Sequence, residues 1–373
     1  MISILLILLA KNFHLEFSLG LFIILFLAFK HGFVRQDGHV INFAMVVVFI
    51  VPLCISKLQK YSHKFSHFLQ IYILITVLVF YIFSESSVLV GQSAGQSIKQ
   101  VVGDLSINLT PSRVANNLSS LLDFNSLLSR VQENSSSNLA GVKLPEDVLN
   151  VVKNKTVDVI PWEISLVPAN QLNWKPRPIF QSYSAYTTHL DNINFESLSE
   201  KPRDYIFYNF ASIDGRHPFF DEPKSFAYVF CNYQPSSEIP NFINTPKLSK
   251  IILLEKLKSS RCLSTTVGEK VSIPWNTSQP IEASDEAIIR ANVKFQYSIF
   301  GKIYKTIFRA PPVMMQVNYA DGSQKNYRII PENSENGVIV SHLPKDDNEA
   351  LSFLRGKLSA RVKSFSFQTS NSL

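Results

Sequence analysis

The sequence predicts an α+β membrane protein: N-terminal transmembrane helices, then an exoplasmic small α/β layer, then a C-terminal antiparallel β-sandwich of jelly-roll type. Three observations predict it. Long apolar runs are confined to residues 1–84, short apolar strands alternate with helical or turn segments from residue 156, and alternating strands with turn signals follow from residue 248. The hydrophobic content of 46% therefore averages two unlike halves.

The apolar runs cover 2–10, 15–29, 40–55 and 68–83, with charge almost only at their edges. The last three have about 15–16 strictly apolar residues each, just short of the ~20 that span hydrocarbon, and flanking Phe, Tyr, His and Lys extend them by snorkelling. Spans are expected at 15–33, 40–56 and 66–84 within a transmembrane region 1–84. The run 2–10 has no positive n-region, and Lys11 lies on its wrong side for a signal peptide. It reads as a short first helix, or as the tail of a longer polytopic protein. Lys57, Lys60 and Lys64 make the most basic loop, which the positive-inside rule puts in the cytoplasm. The loop 30–39 and everything after Ser84 then share the exoplasmic face.

Residues 85–155 read as a juxtamembrane region. Val114, Leu118, Leu121, Leu122, Leu127 and Leu128 recur at helical spacing, 133–141 is a Ser/Asn-rich linker, and Pro145-Glu146-Asp147 opens a helix with acids at its positive end. The α/β domain, 156–247, alternates through 157–160, 163–170, 178–186, 190–198 and 204–210. The sandwich, 248–368, has strands expected at 250–254, 269–273, 287–299, 312–319, 324–330, 337–341 and 360–368, with Ala320-Asp321-Gly322-Ser323 as a hairpin turn and 369–373 as a tail.

A formal charge of +7 does not mark a nucleic-acid binder, because Lys and Arg are dispersed or juxtamembrane and form no stripe interleaved with aromatics. Cys54 falls in a span, which leaves Cys231 and Cys262 as the two that could pair in an oxidising exterior. Asn108, Asn117, Asn134, Asn154 and Asn276 each open an Asn-x-Ser/Thr triplet. The nucleophile elbow, the zincin helix, the phosphate loop, the Cys-x-x-Cys pair and the dinucleotide fingerprint are all missing from the sequence, which disfavours a hydrolase, ATPase or dehydrogenase.

Two places hold residues suited to chemistry. Phe29-Lys30-His31-Gly32-Phe33-Val34-Arg35-Gln36-Asp37-Gly38-His39 puts charge beside the bilayer, where it calls for pairing, a lipid head group or catalysis. In open α/β sheets ligands bind beyond the carboxyl ends of the strands. Those ends here carry Pro161-Trp162-Glu163, then Trp174, Arg177, Gln181, Tyr183 and Tyr186, then Asp214-Gly215-Arg216-His217. Aromatic rings with a planar Arg, an amide and acids suit sugar rings and diphosphates. The competing reading makes Trp174 and Tyr183 core, Arg177 a buried counter-ion, Asp214–His217 a tight turn with an internal ion pair, and Lys30, His31 and Arg35 head-group anchors.

The stretch 29–39, together with Val157-Asp158-Val159-Ile160-Pro161-Trp162-Glu163 and the run Asn173-Trp174-Lys175-Pro176-Arg177-Pro178 through Tyr186, resembles a largely uncharacterised group of bacterial polytopic membrane proteins. That group is similar to the C-type glycosyltransferases and O-antigen-ligase-like enzymes, which take sugars from polyisoprenyl phosphate carriers at the outer face of the cytoplasmic membrane. Those enzymes have more helices, so the resemblance implies either the C-terminal part of one or a partner membrane protein that supplies the rest. It implies Asp37 or His39 as catalytic base, Lys30 and Arg35 on the lipid-linked phosphate, and Trp174, Arg177, Gln181, Tyr183, Tyr186, Asp214, Arg216 and His217 around the sugar. No cofactor or metal site is called for, although a divalent cation is compatible with phosphate chemistry. The implied partners are a polyisoprenyl-phosphate-linked sugar or membrane lipid and a surface polysaccharide, with the protein in the cytoplasmic membrane and its C-terminal domains exoplasmic. The alternative is a non-catalytic, membrane-tethered glycan-binding or scaffolding module.

Overall fold

Two valines and an isoleucine around one aspartate form the strand β1 (Val157–Ile160), buried along its whole length. In the computed structural model, which describes residues 15–35, 71, 123–302 and 312–369, β1 pairs in parallel with β2 (Tyr205–Tyr208). A parallel pair needs a long crossover. Here it is made by the short helix α1 (Leu166–Asn170), a 3-10 turn at Ser182–Ser184, and α2 (Thr188–Glu200), which Thr187 caps by accepting from the Leu190 amide.

The helix α3 (Pro223–Asn232) follows, then β3 (Tyr233–Pro235) and β4 (Ile252–Lys256). The sheet order is β1-β2-β4-β3, with β4 antiparallel to both neighbours. The strand expected to open the sandwich is thus the third strand of the first sheet. Cys231 at the end of α3 is joined to Cys262 by a disulfide.

A second sheet has the order β5 (Gln279–Pro280), β10 (Val362–Thr369), β7 (Val313–Tyr319), β8 (Gln324–Ile329), all antiparallel. In β7 the residues Val313, Met315, Val317 and Tyr319 are buried and those between them half-buried, the period of two expected of a sheet with one face on the core. The β7–β8 turn forms where the sequence placed it, with Gly322 at φ +85°, a region closed to most side chains. A two-stranded sheet pairs β6 (Arg290–Ala291) with β9 (Val338–Ile339).

The two larger sheets share one core: Ile206, Tyr208, Ile252 and Leu254 of the first join Met315, Val317, Phe365 and Phe367 of the second, with Phe219, Phe226 and Phe353 between. The opposite face of the first sheet, through Val157, Val159, Phe207 and Leu253, packs on Val148, Val152 and Leu166. The jelly-roll expectation is therefore corrected to one four-stranded antiparallel sheet packed into a common α+β core. Segments 269–273 and 287–299 form no ladder beyond Arg290–Ala291, and of the expected linker 133–141 all but the turn residue Gly141 continues the exposed helix Phe124–Ala140.

The chain divides into two compact units, Met1–Leu127 with Tyr297–Ala310 and Leu128–Gln296 with Pro311–Leu373. The three sheets, α1, α2 and α3 and the core they share belong to the second. The first includes the helix Leu15–Arg35. Among the described residues no helix is long and apolar enough to cross a membrane, which overturns the expected transmembrane helix at 15–33. The physical reason at Leu15–Arg35 is that Glu16, Ser18 and Gly20 interrupt one end and Lys30, His31 and Arg35 the other. The unbroken apolar stretch 21–29 measures about 14 Å, against the ~30 Å of a hydrocarbon core. The expected spans 2–10 and 40–56, the basic loop 57–64 and, save for helical Ile71, the span 66–84 lie outside the described residues, as do Asn108, Asn117 and residues 111–122 of the juxtamembrane helix.

Candidate functional site

Because β1 and β2 run in parallel, the segments leaving Ile160 and Tyr208 emerge at one edge of the sheet. The Ser182 amide donates to the Pro161 carbonyl at 2.9 Å, and Arg216 Nη1 donates to the Tyr183 carbonyl at 3.3 Å. The three sequence clusters therefore do converge. Their residues divide into a sealed layer below and an aromatic rim above.

The sealed layer is ionic. Asp158, the one polar residue of β1, receives Trp174 Nε1 at 3.2 Å and lies 3.5 Å from Arg177 Nη1. Arg177 also reaches Glu222 at 3.5 Å, and neither the Arg177 nor the Asp158 side chain is exposed at all. Glu222 accepts from the Ser182 hydroxyl at 2.6 Å and from Asn194 Nδ2 at 2.8 Å. Burial pushes its carboxyl up from the ordinary value, against the pull of Arg177. Arg203 donates to the carbonyls of Lys175, Pro176, Ser197 and Lys201, stitching the two ends of the crossover together, and lies 4.0 Å from Asp158 of β1. Asp191, on α2, accepts from the Lys224 and Ser225 amides and so satisfies the first free donors of α3.

Three of the sequence-predicted site residues are occupied by the protein itself. Arg177 is the buried counter-ion between two acids. His217 is fully buried, with Nε2 2.9 Å from the Pro344 carbonyl and Nδ1 accepting from the Phe219 amide, and aromatic rings enclose it. That acceptor role at Nδ1 leaves the proton on Nε2, and burial pushes the imidazole down to about 3. Arg216 is paired with Asp221 at 3.1 Å, and burial pushes Asp221 up to about 6 despite that partner. Asp214, at φ +56° before Gly215, bridges Arg216 and Arg328 from an exposed turn.

The rim is open. Trp162 and Tyr183 meet edge to face with centroids 5.7 Å apart, and the Trp162 indole donates to Glu163 at 3.0 Å. Gln181, half-buried, precedes the 3-10 turn that carries Tyr183, and Tyr186 is 54% exposed. Trp174 packs edge-on against the partly exposed Phe180 along the outer side of β1. Lys30 is exposed on the helix Leu15–Arg35, Arg35 is that helix's last residue, and Asp37 and His39 lie outside the described residues.

Sequence reasoning had not singled out Tyr208, Ser182 or Glu222 as site residues, and no motif marks them. Tyr208 reads as one more aromatic in an apolar strand, and Asp221-Glu222-Pro223 reads as an ordinary helix start. Among the described residues no cluster of three or more His, Cys, Asp or Glu is arranged to hold a metal ion. No family model matches the chain, and no curated protein or solved structure matches it at a significant level.

Proposed function

We propose that this chain recognises glycans, with the aromatic rim beyond β1 and β2 as the binding face. The observation that carries the reading is the Trp162–Tyr183 pair, with Glu163 bonded to the indole, over a floor whose charges are internally matched. Aromatic faces pack on the C–H faces of sugar rings, and carboxylate and amide groups take their hydroxyls. A diphosphate is less well served there, because Arg177, Arg203 and Arg216 already face Asp158, Glu222 and Asp221.

Sugar transfer from a lipid carrier needs cations free to hold the departing phosphate, and the guanidinium groups nearest the rim are spent on acids of the protein itself. The geometry therefore favours the non-catalytic reading, with surface polysaccharide as the partner. The Cys231–Cys262 disulfide suits an oxidising exterior, where such polymers are met. Retention of the purified full-length chain on insoluble bacterial polysaccharide tests the proposal. Wild type is retained and Trp162→Ala is not; equal retention of both, or of neither, contradicts it.

A further inference from the structure

The arginines that approach the rim are balanced by acids. Arg177 and Arg203 face Asp158 and Glu222 in the sealed layer, while Arg216 and Arg328 face Asp214 and Asp221 at the neighbouring turn. The rim itself adds one charge, that of Glu163, which pairs with no cation among the described residues. The aromatic face is therefore left with an uncompensated carboxylate.

Trp162 Nε1 donates to Glu163 Oε1 at 3.0 Å, and Oε2 takes no hydrogen bond among the described residues. An indole N–H lies in the plane of its ring, so the carboxylate that accepts it stands at the ring's edge and not over its face. Trp162, Glu163 and Tyr183 are all half-buried, so each keeps surface for a ligand. A pyranose lying on an aromatic face directs its equatorial substituents outward, past that edge. A carboxylate or phosphate there meets like charge, and a hydroxyl gains one hydrogen bond. An ammonium group gains an ion pair with the acid and the attraction of the ring faces as well.

We propose that the rim prefers glycans containing amino sugars with a free, protonated amine, which donates to Glu163 Oε2 while the sugar ring lies on Trp162 or Tyr183. This rests on the glycan-recognition reading and names the class of sugar preferred. N-acetylation of the same amine removes its charge and with it the ion pair.

The test titrates full-length protein, followed by NMR, with the methyl glycosides of glucosamine and galactosamine in protonated form, of their N-acetylated derivatives, and of glucose and galactose. Nα-acetyl-lysine amide supplies the same cation without a sugar ring. Wild type binds at least one amino sugar roughly fivefold more tightly than both its N-acetylated and its hydroxyl counterpart, the scale of a partly solvated ion pair. Glu163→Gln removes that preference, while Trp162→Ala weakens all the sugars together. Glutamine keeps an oxygen for the indole N–H, so Glu163→Gln retains the near-UV circular dichroism of wild type. Binding that depends on Trp162 without any preference for the amine, or a preference that survives Glu163→Gln, overturns the amino-sugar assignment and leaves glycan recognition standing. No binding of any glycoside, binding indifferent to Trp162→Ala, or a lysine amide bound as tightly as the best amino sugar overturns both.

Discussion

Arg177 holds Glu222 across a 3.5 Å ion pair in which the arginine side chain is fully buried and the glutamate side chain is 4% exposed. With Asp158 on its other amino group, the arginine neutralises two buried acids at once. Removing one partner of such an arrangement strands the others without compensation. Arg177→Met is expected to lose about 3–5 kcal/mol of unfolding free energy, read by urea titration. A loss below about 1 kcal/mol would mean that the network is solvated and that Arg177 is free for a ligand.

His217 and Asp221 make opposing contributions to the pH dependence of stability. The His217 imidazole is pushed from 6.5 down to about 3, so its contribution is complete above pH 6.5 and is lost as pH falls toward 3. Asp221 is pushed from 3.8 up to about 6, so its contribution is complete below pH 3.8 and is lost as pH rises through 6. Between about pH 6 and pH 4 the two slopes oppose each other, and below pH 4 the His217 slope acts alone. Asp221→Asn removes the compensation. Its stability relative to wild type should fall from pH 6 toward pH 4 at up to about 1.4 kcal/mol per pH unit. Parallel wild-type and variant profiles across that window would contradict the assignment.

Reduction should matter more than the position of the disulfide near the surface suggests. Cys231 and Cys262 are 31 residues apart in sequence, and closing a loop of that length restricts the unfolded chain by about 3–4 kcal/mol. The double variant Cys231→Ser/Cys262→Ser should lower the urea midpoint accordingly and become indifferent to dithiothreitol. An unchanged midpoint would show that the bond adds nothing to the fold.

Tyr208→Phe should stabilise the unliganded protein. The substitution deletes a buried hydroxyl that has no partner among the described residues, and such a group costs up to about 1–3 kcal/mol of desolvation. A rise in Tm measured by calorimetry is expected. A fall of several degrees would indicate that the hydroxyl makes a structural hydrogen bond.

How much could be read beforehand depended on whether the cause was local. β1, the β7–β8 hairpin and the helix Glu146–Val152 follow from β-branched runs, an Asp-Gly turn and acids after a proline, all within a few residues. The convergence of Trp162, Tyr183 and Arg216 at one edge followed from parallel strand order. Which of its two readings Arg177 takes, ligand or buried counter-ion, was not legible, because its burial depends on Asp158 and Glu222, which lie far from it along the chain. Segments 269–273 and 287–299 have strand-like composition yet form almost no ladder, since pairing requires a partner edge that alternation cannot specify. The helix Asp347–Leu354, capped by Asp346, went unassigned among the strand patterns around it. The many apolar side chains of 15–33 suggest a span, but the placement of Glu16 and Lys30 shortens its apolar centre.

Saturation-transfer NMR between the full-length protein and soluble oligosaccharides of bacterial surface polymers tests glycan recognition most directly. The account predicts transfer to sugar ring protons in wild type and its loss in a Trp162→Ala/Tyr183→Ala variant that retains the wild-type fold. Transfer that persists undiminished in that variant, or its absence in wild type across the oligosaccharides, would contradict it.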